Sequence, residues 1–191
     1  HYCGEGPLVE SFRTGQDIHR RTASEIFGVA PALVSTEMRR AAKAINFGIV
    51  YGMGAFRLAN ELRIPRSEAQ AYIEGYFARY PQVRAYMDGA CARAREKGYS
   101  ETLYGRRRPI AGLDASNQVD RASAERIAIN SPIQGTAADL IKLAMLAVNE
   151  AIAGTGADLL LQVHDELVLE VPEGEAESVA SRVKAAMESA A

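Results

Sequence analysis

Arg39, Lys43, Phe47 and Tyr51 follow one another at intervals of four and carry the strongest chemical pattern in the sequence. On a helix each step of four drifts by only about 40°, so all four side chains project from one side. The cationic half, with Arg40 nearby, suits a triphosphate, because arginine offers a planar fork and lysine a compact charge to phosphate oxygens. The aromatic half suits stacking on a base. Ala41, Ala42, Ala44, Ile45 and Ile49 fall largely elsewhere on the wheel and are available for packing. Spacing alone leaves a second reading open, a solvated basic face with its aromatics in the core.

A second constellation is the acidic pair Asp165-Glu166, set between the apolar runs Leu159–Val163 and Leu167–Val171. Two adjacent carboxylates at a tight turn suit a hard cation such as Mg²⁺, which takes oxygen ligands and bridges to phosphates. Asp is also common in turns for local hydrogen-bonding reasons, and His164 beside it fits a structural role as readily as a chemical one.

The elements that must position these residues are mainly helical. Asp17 caps a helix expected to run to Phe27 and end at Gly28. Ser35 or Thr36 caps another expected to run to Tyr51 and end at Gly52. A helical pair, Ser67–Arg79 and Pro81–Lys97, is divided at Tyr80-Pro81 and closed by Gly98. Glu101–Tyr104 reads as a short strand leading into Gly105-Arg106-Arg107-Arg108-Pro109. Helices then resume over Asn117–Ile129 and from Pro132, taken as a first-turn proline, to Ala153. The apolar runs around His164-Asp165-Glu166 predict a β-hairpin with polar residues at its tip, stopped by Pro172, and a last helix begins near Glu177.

With 191 residues, 48% hydrophobic and 24% charged, the chain holds one good core or two small ones. The net charge of −2 conceals a segregation. Between Met38 and Arg108 fourteen Lys or Arg stand against six Asp or Glu, whereas from Asp158 onward two stand against eight. A basic region beside an acidic one raises the expectation of a polyanionic partner. Cys3 and Cys91 match no metal or redox spacing and fit reduced thiols in the cytoplasm. No apolar run reaches the roughly 18 residues of a membrane span, so no membrane association is expected. The missing initiator methionine and the helical pattern at the last residues give the expectation of a fragment, cut at both ends.

Arg39-Arg40-Ala41-Ala42-Lys43-Ala44-Ile45-Asn46-Phe47-Gly48-Ile49-Val50-Tyr51-Gly52 closely resembles the fingers helix of family A DNA polymerases, the bacterial DNA polymerase I type. Gln162-Val163-His164-Asp165-Glu166-Leu167-Val168-Leu169-Glu170 resembles the palm motif of the same family, in the same order. Asn130-Ser131-Pro132-Ile133-Gln134-Gly135-Thr136-Ala137-Ala138-Asp139 and Thr102-Leu103-Tyr104-Gly105-Arg106-Arg107-Arg108 resemble it too, as does the approach Asp17-Ile18-His19 with Thr22-Ala23 and Phe27-Gly28, so the likeness covers nearly the whole chain.

The resemblance implies that Arg39 and Lys43 contact the incoming phosphates, that Phe47 lies against the nucleotide and Tyr51 near the templating base. A phenylalanine at Phe47 implies discrimination against dideoxynucleotides. It makes Asp165 a ligand of two catalytic Mg²⁺ ions, Glu166 an acidic helper and His164 a neighbour of the primer end. Asn130 and Gln134 are implied minor-groove contacts to duplex DNA, and Arg106 is the expected phosphate contact of its loop. The implied fold is α+β, a helical fingers subdomain with part of an antiparallel palm sheet, a right-hand polymerase fold truncated at both ends. Residues 1–16 would lead from palm into fingers, 17–115 form the fingers, and 116–191 an incomplete palm portion with the metal-site hairpin.

The expected activity is transfer of a deoxynucleotide from dNTP to a primer 3′-hydroxyl on a primer-template, by a monomer. The second carboxylate that two-metal chemistry needs is expected outside the sequence, so the fragment alone is expected to be inactive. Two alternatives stand beside this: a helical DNA-binding module without catalysis, and a single-subunit RNA polymerase, whose Arg, Lys and Tyr-Gly pattern is shared.

Overall fold

A computed structural model describes residues 2–190. The element order is α1 (Pro7–Arg13), α2 (Ile18–Phe27), a 3₁₀ turn (Pro31–Leu33), α3 (Thr36–Val50), α4 (Ala55–Leu62), α5 (Arg66–Arg79), α6 (Pro81–Lys97), β1 (Tyr99–Glu101), β2 (Arg107–Pro109), α7 (Gln118–Ala151), β3 (Asp158–Val163), β4 (Glu166–Glu170) and α8 (Ala176–Ser189). Both sheets are two-stranded and antiparallel, β1 with β2 and β3 with β4.

The chain divides into two compact units. Among the described residues, one comprises those up to 101 together with 107–133, the other residues 102–106 and those from 134 on. The expected fingers boundary at 115/116 is a functional division, which compactness does not test.

In the first unit the caps fall where the sequence placed them. Asp17 accepts from the backbone N–H groups of His19 and Arg20, Gly28 closes α2 in the left-handed region at φ 64°, and Ser35 accepts from Met38 N–H at the start of α3. Ile45 and Ile49 of α3 pack with Leu58, Ala69, Tyr76, Tyr80 and Val83 in one core. A second core joins Tyr86, Ala90 and Ala94 of α6 to Ile110, Leu113, Ala124, Ala128 and Ile129. In the other unit Val148 of α7 and Ile152 just past its end pack with Ala157, Val179 and Ala186, and Leu159, Leu167 and Leu169 of the hairpin lie against them.

Three expectations are corrected. Pro132 does not begin a helix; it lies inside α7, which runs unbroken from Gln118 to Ala151. A proline there lacks the N–H that would serve the carbonyl four residues earlier, Ala128. That buried carbonyl instead accepts from Ser100 Oγ at 3.1 Å, while the carbonyls of Ile129 and Pro132 accept from the Tyr86 and Tyr2 hydroxyls at 2.7 and 2.9 Å. Neighbouring elements thus supply donors that the sequence around Pro132 does not reveal.

The first strand occupies Tyr99–Glu101 rather than Glu101–Tyr104, because Tyr99 pairs with Pro109 and the chain turns at Thr102. The hairpin turn is tighter than expected. Val163 pairs directly with Glu166, leaving His164 and Asp165 as the two turn residues, with Glu166 already the first residue of β4. His164 takes φ 55°, a left-handed backbone uncommon outside glycine. Beyond these, α1 and α4 form where no separate element was expected.

Candidate functional site

The face of α3 is built from within the first unit. Arg39 donates through Nε to Asp17 Oδ2 at 2.6 Å, so the residue that caps α2 also tethers the first cation of the face. Arg39 beside it, together with the capped N–H groups of Arg20 and His19, holds the Asp17 carboxyl below its usual range. Only one of the guanidinium's five N–H groups is used in this bond. Lys43 forms no ion pair among the described residues, and its Nζ lies 6.0 Å from the centroid of the Phe47 ring. Phe47 and Tyr51 are about half exposed, at 49% and 48%. For two large aromatics on a packed helix that is a surface disposition rather than a core one.

An open groove of about 700 Å³ runs along this face, lined among others by Arg40, Lys43, Phe47, Tyr51, Arg57 and Arg126. Its wall includes Gly52 at φ 74°, where a Cβ would come within 2.9 Å of Arg126 Cγ. Glycine there therefore serves both the backbone turn at the helix end and the close approach of Arg126.

His19 belongs to this site although its sequence context assigned it no chemistry. Its ring packs against Phe47 with centroids 5.6 Å apart, and its Nδ1 lies 3.0 Å from Asn46 Nδ2. Partial burial pushes its pKa down, the nearby Asp17 opposes that, and the charges of Arg39 and Lys43 reinforce it. The tertiary meeting of α2 with α3 brings His19 here. In sequence His19 and Phe47 are 28 residues apart, and no local period links them.

The arginine loop is less free than its sequence suggests. In the second unit Arg106 donates from Nε to Asp139 Oδ1 at 2.6 Å and from Nη2 to the Gly135 carbonyl at 2.8 Å. Gly135 admits the loop, since a Cβ would lie 2.6 Å from Thr102 Cγ2. Thr102 and Arg106 hold the Asp139 carboxyl below its usual range, and its Oδ2 is buried without a hydrogen-bond partner. In the first unit Arg107 pairs with Glu101 and lies over the Tyr99 ring, and Arg108 donates to Ser131 Oγ. Asn130 and Gln134 both lie on α7, on either side of Pro132, the first with a buried amide oxygen left unpaired and the second exposed.

At the hairpin tip His164, Asp165 and Glu166 are all exposed, and none forms an ion pair among the described residues. Gln162 Nε2 donates to the His164 carbonyl and braces the turn. Asp165 and Glu166 offer the hard oxygen donors that suit Mg²⁺. Among the described residues, however, no three His, Cys, Asp or Glu side chains are grouped to hold a metal ion. The pair fits part of a cation site.

Residues 1–191 match the sequence profile of DNA polymerase family A. The chain belongs to that family. It is 53% identical over 188 residues to the thermostable DNA polymerase I of Thermus thermophilus, covering 98% of this chain and 23% of that protein. To the DNA polymerase I of Deinococcus radiodurans it is 49% identical over 188 residues, 98% of this chain and 20% of that one. Among solved structures it resembles the polymerase domain of Pol1 from M. smegmatis, in complex with DNA primer-template and dNTP. The TM-score is 0.92 at 44% identity, covering 100% of this chain and 34% of that chain. The chain thus spans about a quarter of its Thermus relative, and its helical units with two small antiparallel sheets are part of the family A polymerase fold.

Proposed function

We propose that this chain carries the nucleotide-binding helix and part of the metal site of a template-directed DNA polymerase, which joins a primer 3′-oxygen to the α-phosphorus of a dNTP as pyrophosphate leaves. The observation that carries the reading is the α3 face, where Arg39, Lys43, Phe47 and Tyr51 line up with His19 beside an open basic groove. Lys43 and the unused N–H groups of Arg39 neutralise triphosphate charge by charge-assisted hydrogen bonds. His19 adds a ring donor, and Phe47 lies against the nucleotide and disfavours dideoxy sugars. Tyr51, at the helix end, stands near the templating base.

Asp165, with Glu166 auxiliary, would hold a divalent cation, Mg²⁺ by its donor set, which when bound stabilises charge at the reacting phosphate. Arg106, Asn130, Gln134 and His164 contact primer-template DNA in this reading. Arg106 does so as a guanidinium preset by Asp139 rather than as a mobile side chain. The reading includes a monomer in the cytoplasm, a compartment that keeps free thiols such as Cys3 and Cys91 reduced.

The test is primer extension by the full-length protein with dNTPs and Mg²⁺, run beside ribonucleotides. Template-dependent deoxynucleotide addition is expected. DNA binding without extension would turn the reading into a non-catalytic module, and preferential ribonucleotide addition would turn it into an RNA polymerase.

A further inference from the structure

We infer that Asn46 is a positioning residue that fixes His19 as the neutral tautomer with its proton on Nε2, through a buried hydrogen-bond chain anchored at Glu25. The inference rests on the proposed role of the α3 face and assigns a function to a polar side chain that the face itself does not expose.

Asn46 lies next to Phe47 on α3, yet it is only 6% exposed, and Thr22 beside it on α2 is fully buried. The Asn46 amide bridges two partners: Oδ1 lies 3.1 Å from Thr22 Oγ and Nδ2 lies 3.0 Å from His19 Nδ1. Beyond Thr22, at 3.4 Å, is the Tyr80 hydroxyl, which donates to Glu25 Oε2 at 2.9 Å. Glu25 is held in turn by Arg79 at 2.7 Å and Arg21 at 3.3 Å through Oε1.

Proton counting along this chain gives it a direction. A carboxylate flanked by two guanidiniums only accepts, so the single Tyr80 proton points to Glu25. Thr22 also has one hydroxyl proton, and the amide oxygen of Asn46 is its closer acceptor. With Oδ1 so engaged, the Asn46 nitrogen faces His19, and an amide nitrogen only donates. His19 Nδ1 must then present a lone pair, and the proton of the neutral ring sits on Nε2.

The same arrangement opposes the imidazolium. A protonated ring would offer Nδ1–H to an Asn46 nitrogen that cannot accept it. Relief requires turning the amide over and moving the Thr22 proton to Tyr80, across the longer 3.4 Å gap. The charged groups facing His19 are Asp17 at the start of α2 and Arg39 and Lys43 on α3. A neutral donor between two cations adds a hydrogen bond for a phosphate oxygen without a third mutually repelling charge.

The experiment uses the full-length protein with ¹⁵N-labelled histidine, and His19→Gln identifies the His19 signals. In the wild type the Nε2 resonance is expected at the protonated position and Nδ1 at the unprotonated one. Asn46→Asp supplies an acceptor-only group, so it is expected to move the proton to Nδ1 and raise the titration midpoint of His19 by about one unit, tenfold in proton affinity. Thr22→Val keeps the buried shape but frees the amide to turn. It is expected to give a mixture of tautomers and to raise the nucleotide KM about five-fold, with primer-template affinity unchanged. An Nδ1–H tautomer in the wild type would overturn the inference, as would an unchanged ring in both variants once thermal denaturation shows them folded. The ring signals are read without any activity, so a protein that fails to extend primers would overturn the polymerase reading alone. A moved tautomer with an unmoved nucleotide KM would remove His19 from the nucleotide site.

Discussion

The α3 face and the β3–β4 tip both display charged side chains, but only one of them is held by its surroundings. At the α3 face, Arg39 is fixed by a helix cap, His19 of α2 is held by a buried amide, and Lys43 lies toward an aromatic ring. At the tip, Asp165 and Glu166 have neither an ion-pair partner nor a third metal-binding neighbour among the described residues. The difference follows from the ligands proposed for each. A helix face displays several cations toward an anion from one element, and their mutual repulsion is eased by partners within the same unit. A dication needs oxygen donors converging from separate elements, and a two-residue turn supplies only one corner of such a shell.

The largest effect expected from this contrast is at the tip. Asp165→Ala in the full-length protein should lower kcat of primer extension by roughly a thousand-fold or more, the scale of losing a major transition-state interaction. Nucleotide binding, measured by fluorescence titration, should change little, because the α3 face does not depend on Asp165. A matching loss of nucleotide affinity would break the contrast between the regions. Next comes Lys43→Ala, which removes one charge-assisted contact and should cost about ten- to a hundred-fold in kcat/KM for dNTP. Steady-state kinetics would show whether the loss falls on KM, as the face reading requires.

How far the two regions were legible in the sequence follows the same line. The α3 pattern is a local period, and its caps Asp17 and Ser35 are local signals too, so helix, face and boundaries were readable directly. The hairpin was also readable, from two strand-length apolar runs, though the direct pairing of Val163 with Glu166 was not. What escaped depends on tertiary contact. Pro132 reads as a helix start until Ser100, Tyr86 and Tyr2 are seen to serve the carbonyls around it. His19 carries no periodic signal that joins it to Phe47, and the Arg106–Asp139 pair spans 33 residues. Roles within the site came from resemblance to a family, whereas the residues that support those roles came from geometry.

A smaller effect tests whether the arginine loop belongs with the held region. Gly135→Ala would put a methyl 2.6 Å from Thr102 Cγ2 and push the loop away from α7, disturbing the bonds from Arg106 to Asp139 and to the Gly135 carbonyl. Primer-template affinity should fall several-fold, on the scale of one weakened phosphate contact, and the salt dependence of binding should become shallower. Unchanged affinity and slope would mean that Arg106 acts only within the protein.

The smallest effect concerns the tether of Arg39, and its sign with pH can be worked out. The Asp17 carboxyl is held below its ordinary range, first by the Arg39 bond and further by the Arg20 and His19 N–H groups. The folded protein therefore binds that proton less readily than the unfolded chain does. The stabilisation is present above the unfolded value of about 4 and is lost as pH falls through the lower folded value. The pair is well exposed, so solvent screens it, and Asp17→Asn should cost about 1 kcal/mol at most near neutral pH, with the cap largely kept by the asparagine oxygen. Below that window wild type and variant should denature at nearly the same urea concentration. A gap that widened with acid would reverse the sign and remove Asp17 as the charged partner of Arg39. A gap confined to higher pH, joined by a two- to three-fold rise in nucleotide KM, would show that the first cation of the α3 face is positioned by the cap of its neighbour.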